Sequence, residues 1–162
     1  MSVQFDFKDK VVLITGSSSG IGAGTALLFS KSGAKVVITG RNERKLSEVA
    51  KKCQQLSPNG YKPLQVLGDI TREEDAQRLV KSTINEFGKL DVLVNNAGFG
   101  CNKGLKDPDY MTAYRDVLNT NLTSVVYLTH LCAEHLTLTK GNVVNVSSVA
   151  AFSTVSLDRI FT

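Results

Sequence analysis

No apolar run in the 162-residue sequence approaches the roughly 18 residues that a helix needs to cross a bilayer. The opening stretch, Met1 to Lys8, also lacks the basic-then-apolar order of a secretory signal peptide, so no membrane contact and a cytoplasmic location are the expectations. Cysteine is scarce: Cys53, Cys101 and Cys132 are odd in number, widely spaced and free of any C-x-x-C pair, which argues against a disulfide framework or a thiolate metal centre. The two histidines, His130 and His135, would point in different directions on a helix, so no metal site is expected. Like charges never run together. The 19 Lys and Arg exceed the 15 Asp and Glu only modestly, and the excess is spread along the chain, which gives nucleic acid no basic stripe to bind. Low-complexity tracts and interdomain linkers are lacking as well.

What is present is material for one core. With 42% hydrophobic and 21% charged residues, the chain lies far from the composition of disordered proteins. Val11-Val12-Leu13-Ile14 is a β-branched run too short for a helix and reads as a buried strand. A Ser- and Gly-rich turn follows, then a helix on which Ile21, Leu28 and Phe29 share one apolar face and Gly33 is the C-cap candidate. Lys35 to Thr39 reads as a second strand, and Glu43 to Gln55 as a polar helix with Leu46, Val49, Ala50 and Cys53 inward. After a turn at Ser57-Pro58-Asn59-Gly60 comes a third strand, Leu64 to Leu67. Thr71-Arg72-Glu73-Glu74 reads as a capping box that opens a helix towards Gly88, and Leu90 to Val94 is a fourth strand. Met111, Tyr114, Leu118, Leu122, Val125, Thr129, Cys132 and Leu136 mark one side of a single long helix. Val143 to Val146 is the fifth strand, expected at a sheet edge where an apolar strand invites association.

Five short apolar strands alternating with helices specify βαβ units, and so a doubly wound α/β fold with a parallel sheet covered on both faces. Residues 1–151 are expected to form this domain; 152–162, where no period holds, reads as an irregular tail.

The segment Thr15-Gly16-Ser17-Ser18-Ser19-Gly20-Ile21-Gly22 falls between the first strand and the first helix, at the carboxyl end of the sheet where open α/β folds bind ligands. Gly16 permits a tight turn, Gly20 lets the backbone approach a pyrophosphate, Gly22 allows close packing, and the helix N-terminus offers N–H groups to an anion. No Gly-Lys-Ser/Thr follows, so this is not a P-loop.

Thr-Gly-x-x-x-Gly-Ile-Gly at a first strand resembles the cofactor loop of the short-chain dehydrogenase/reductase family. So do Asp69-Ile70 after the third strand, Asn95-Asn96-Ala97-Gly98 after the fourth, Asn121-Leu122 within the long helix, and Asn145-Val146-Ser147-Ser148 at the end of the fifth. The resemblance covers Phe7 to about Ala151. It implies a Rossmann-type NAD(P)-binding domain whose cofactor contacts are Gly16, Ser18, Ser19, Gly20, Ile21, Gly22, Asp69, Ile70, Asn95, Ala97 and Gly98. It also implies catalytic roles for Ser148, bonded to the substrate oxygen, and for Asn121, ordering a water. Members of the family commonly pair through the long helix, here 112–136, which leaves a homo-oligomer open. Arg41 stands near the end of the second strand, about 20 residues past the glycine turn, where Asp or Glu would accept from a free ribose 2′-hydroxyl. A guanidinium there suits a 2′-phosphate instead, and NADP(H) is favoured over NAD(H).

The family's Tyr-x-x-x-Lys segment, which exchanges a proton with the carbonyl or alcohol substrate, has no counterpart. Phe161 stands at the tyrosine's position, the lysine would fall past Thr162, and Tyr61, Tyr110, Tyr114 and Tyr127 all precede Ser148. Two readings follow. The chain is the greater part of the cofactor domain of an NADP(H)-dependent oxidoreductase in shortened form, or it is a catalytically inactive, truncated dinucleotide-binding fragment with an interaction role.

Overall fold

The computed structural model describes residues 5–149. The expected tail at 152–162, the domain limit at 151 and Phe161 lie outside the described residues. Each apolar run is a strand: β1 (Val11–Ile14), β2 (Lys35–Gly40), β3 (Leu64–Leu67), β4 (Val92–Asn95) and β5 (Asn142–Asn145). They are joined through α1 (Gly20–Lys31), α2 (Glu43–Leu56), α3 (Glu73–Phe87), and a last helix made of α4 (Tyr110–Leu118), a π-helical turn (Asn119–Thr123) and α5 (Ser124–Thr139). All strands pair in parallel in the order β3-β2-β1-β4-β5, with Leu13 opposite both Val37 and Leu93. This is the doubly wound sheet that strand–helix alternation specifies. Chain direction across the sheet reverses between β1 and β4, so a crevice opens beyond their carboxyl ends.

Strand alternation builds two cores. Val11, Leu13, Val37 and Leu93 face α3 and α5, where Leu79, Leu128 and Cys132 meet them. Val12, Ile14, Val36, Ile38 and Val94 face α1 and α2, where Ala26, Leu46 and Cys53 meet them. The four inward residues expected for the second helix, Leu46, Val49, Ala50 and Cys53, are all buried. Gly33 and Gly88 both take positive φ just past their helices, +89° and +72°, a conformation that only glycine adopts without strain.

Three expectations are corrected. On α1 the buried residues are Gly22, Ala26 and Ser30, while Ile21 and Leu28 are exposed. Small side chains let this helix lie close to the sheet, and Phe29 packs edge-on against Phe7 instead. The capping box is not formed: α3 starts at Glu73 with no side-chain cap, because the Thr71 hydroxyl bonds to Asp69. The long helix is not one stripe, since its π turn fits one more residue per turn and rotates the buried face. Val117, Ser124, Leu128, Cys132 and Leu136 are therefore inward, and Met111, Tyr114, Leu118 and Leu122 are exposed. The fifth strand lies at a sheet edge as expected: β3 and β5 are the edges among the described residues, and Val143 and Val144 are each two-fifths or more exposed.

Candidate functional site

Beyond β1 the chain must turn sharply and stay close to the ends of β2 and β4. Two hydroxyls fix that geometry. Thr15 is buried, and its Oγ1 accepts hydrogen bonds from the N–H groups of Asn96 (2.9 Å) and Ala97 (3.0 Å), which ties the loop after β4 to the loop after β1. Ser17 Oγ donates to Ile14 O (2.8 Å) and accepts from Thr39 N (2.9 Å), tying in the end of β2. Gly16 has φ +62°, and a Cβ there would lie 2.8 Å from the Ala97 backbone. A Cβ on Gly22 would collide with Asn96 Nδ2 and lie 2.6 Å from Gly16 O. Gly20, at φ +55°, has open space where a side chain would project, so its backbone remains approachable.

These contacts leave a cleft of about 510 Å³. Gly16, Ser18, Ser19, Gly20 and Ile21 line one side, and Ala97 and Gly98 line another. Arg41, Asp69 and Ile70 line the part nearest the ends of β2 and β3. No side chain caps α1 at Ser19, so the N–H groups of its first turn and the positive end of its dipole are available to an anion. Arg41 Nη1 lies 3.7 Å from Asp69 Oδ2. Asp69 Oδ1 accepts from Thr71 N (3.0 Å) and Thr71 Oγ1 (2.8 Å), and Asp69 N donates to Asp75 Oδ2 (2.9 Å). That N–H bond, reinforced by Arg78, holds the Asp75 carboxyl below the usual range.

Asn121, costly in an ordinary helix, sits in the π turn, a feature often found at functional sites. Its Oδ1 accepts from Phe99 N (3.1 Å) and its Nδ2 donates to Phe99 O (3.0 Å), so it holds the loop after β4 by both backbone groups. Ser148 stands exposed beyond β5 and does not line the cleft.

Asn95 does not reach the cleft either. It is buried, and its Nδ2 donates to Thr129 Oγ1 (3.1 Å) and Asn145 Oδ1 (2.9 Å), joining β4 to α5 and β5. Its neighbour Asn96 lines the cleft and donates to Thr15 O (2.9 Å). Strand alternation could have separated the two, since successive side chains leave opposite faces. Gly22 lies buried beneath the turn as a packing position. Sequence reasoning missed Gly40 and Gly68 as lining residues. A Cβ on Gly40 would lie 2.9 Å from Ser18 Oγ, a closeness that depends on tertiary contact and leaves no sequence period. Among the described residues no cluster of His, Cys, Asp and Glu could hold a metal.

Replacing Gly22 tests this packing. Gly22→Ala is expected to destabilise the chain by about 1–3 kcal/mol, the usual cost of overpacking, because one of the colliding atoms is backbone. A urea titration of both forms measures it, and an unchanged midpoint would contradict the account.

A family model described as short chain dehydrogenase matches residues 10–159. The 11-beta-hydroxysteroid dehydrogenase-like 4A of Arabidopsis thaliana is 42% identical over 153 residues, which are 94% of this chain and 50% of that protein. Among solved structures, a short-chain dehydrogenase/reductase of unknown function from Caenorhabditis elegans, with cofactor, superposes with a TM-score of 0.85 at 38% identity. The superposition covers 94% of this chain and 57% of that one. A 7 alpha-hydroxysteroid dehydrogenase complexed with NADH and 7-oxo glycochenodeoxycholic acid gives 0.86 at 31% identity, covering 94% and 58%. The chain spans about half the length of the curated relatives it matches.

Proposed function

This chain belongs to the short-chain dehydrogenase family, and we propose that it forms the NADP(H)-binding part of an oxidoreductase that interconverts a small carbonyl compound and its alcohol. The observation that carries this reading is the cleft itself, with the uncapped start of α1 on one side and Arg41 beyond β2. The residues fit a dinucleotide. The open backbone at Gly20 and the first turn of α1 suit a pyrophosphate, and the Arg41 guanidinium suits a further phosphate on the adjoining ribose. Bound there, the nicotinamide supplies hydride chemistry. Asn121 fixes the loop at Phe99 beside the site, and Ser148 offers a hydroxyl to a substrate oxygen. One related enzyme was solved with NADH, so family membership does not select the cofactor; residue 41 carries the argument for NADP(H).

Calorimetric titration tests it. NADPH should bind more tightly than NADH, and Arg41→Ala should erase most of the difference, about tenfold or more for a lost charge-assisted bond. Equal affinities in the unaltered chain would overturn the assignment.

The exposed Tyr114, Leu118 and Leu122 support pairing of two chains through helix 112–136. Among the described residues no helix is long and apolar enough to cross a membrane, and a cytoplasmic location belongs to the same proposal.

A further inference from the structure

We propose that Asp69 tunes how strongly the cleft selects a phosphorylated ribose, by competing with the phosphate for the Arg41 guanidinium. The proposal rests on the reading that the cleft holds a nicotinamide dinucleotide. Arg41 and Asp69 face each other across the part of the cleft nearest β2 and β3, with Nη1 and Oδ2 3.7 Å apart. The two partners are unequally held. The Arg41 side chain is 80% exposed, and among the described residues Asp69 is its only ion-pair partner. The Asp69 carboxylate is fixed, because Oδ1 takes both donors of Thr71 and the backbone N–H of Asp69 is held by Asp75, itself paired with Arg78 at 2.6 Å. Only Oδ2 is left facing Arg41. The Thr71 hydroxyl, which the sequence places as a helix cap, acts instead to aim that carboxylate.

The arrangement treats two ribose chemistries differently. A ribose with a free 2′-hydroxyl brings no charge, and Arg41 keeps its pair with Asp69. A 2′-phosphate brings roughly −2 and draws the guanidinium away, so binding must first break the ion pair. Asp69 therefore costs affinity for the phosphorylated cofactor alone. Any contact that Asp69 makes with parts common to both cofactors cancels when the two affinities are taken as a ratio.

The test is titration of the full chain with NADPH and with NADH, read as the ratio of the two dissociation constants. Asp69→Asn keeps the side chain's shape and an acceptor for Thr71. It should raise selectivity for NADPH by about two- to five-fold, the range of an exposed ion pair. Thr71→Val, which removes the hydroxyl bond to the carboxylate but keeps the backbone one and the charge, should shift the ratio in the same direction by less. In an Arg41→Ala background, Asp69→Asn should leave the ratio unchanged. A ratio that is unchanged or falls in Asp69→Asn overturns the proposal. So does an equal rise in both backgrounds, which would mean direct repulsion of the phosphate. Failure of the unaltered chain to bind either cofactor would overturn the cofactor reading itself, and this proposal with it.

Discussion

A polypeptide of these 162 residues, saturated with NADPH, is expected to reduce ketones and aldehydes at least about 10²-fold more slowly than the same chain continued through a Tyr-x-x-x-Lys segment. The reason is the oxygen's charge. As a carbonyl accepts hydride its oxygen becomes an alkoxide, which needs either a proton or strong hydrogen-bond donors. Of the residues that the family resemblance implies for this chemistry, Ser148 would offer one hydroxyl. Asn121 has both ends of its amide committed to the Phe99 backbone. Within these 162 residues no tyrosine follows Ser148, and the four that precede it do not line the cleft. General acid catalysis typically contributes about 10²–10⁴-fold, so its loss dominates even if binding is intact. NADPH oxidation, followed across a panel of ketones and aldehydes for the two polypeptides, measures the ratio. Comparable rates would reveal a proton donor within the 162 residues and would overturn the expectation.

The strands and the glycine turn were legible in the sequence because each is determined locally. Val11 to Ile14 can only be a short buried strand, and a positive φ at Gly16 excludes most other residues. The site's less legible parts depend on which of several partners a polar side chain takes. The stripe from Met111 to Leu122 follows helical spacing yet is exposed, because the π turn at Asn119–Thr123, whose Asn121 bonds the Phe99 backbone, offsets it from the buried face of α5. Thr71 fits a capping box in sequence, but Asp69 competes for its hydroxyl and wins. Asn95 and Asn96 are identical in type and adjacent, and only the facing of β4 decides that one joins strands while the other meets the cleft. In each case a polar side chain had more than one partner within reach, and residue spacing alone does not say which one it takes.

The opposite end of the sheet, at the amino ends of its strands, yields the largest expected stability effect. Asp91 is nearly buried just before β4, where its Oδ2 accepts from Val11 N (2.9 Å) and Lys89 Nζ (2.9 Å) and its Oδ1 from Lys10 Nζ (3.1 Å). Its backbone N–H donates to Val11 O and its carbonyl accepts from Asn142 N, so one residue joins the starts of β1, β4 and β5. Burial alone would push this carboxyl up, but the Val11 N–H and the ammonium groups of Lys89 and Lys10 outweigh it and hold it below the usual range. Asp91→Ala should cost about 3 kcal/mol, the upper end for a buried donor left without its acceptor. The two lysines add little to that cost, since both side chains are part-exposed and can return to water. Asp91→Asn keeps an acceptor for Val11 and should cost about half as much. A depressed folded-state pKa means that the ionised carboxylate is favoured by folding. Its contribution is complete above the unfolded value near 4 and is lost as pH falls through the lower folded value. The stability gap between the unaltered chain and Asp91→Asn should therefore be constant from about pH 7 to 5 and shrink below about pH 4. Urea unfolding of both forms across that range tests the assignment, and a gap that persists or widens in acid would show that packing, not charge, is what Asp91 supplies.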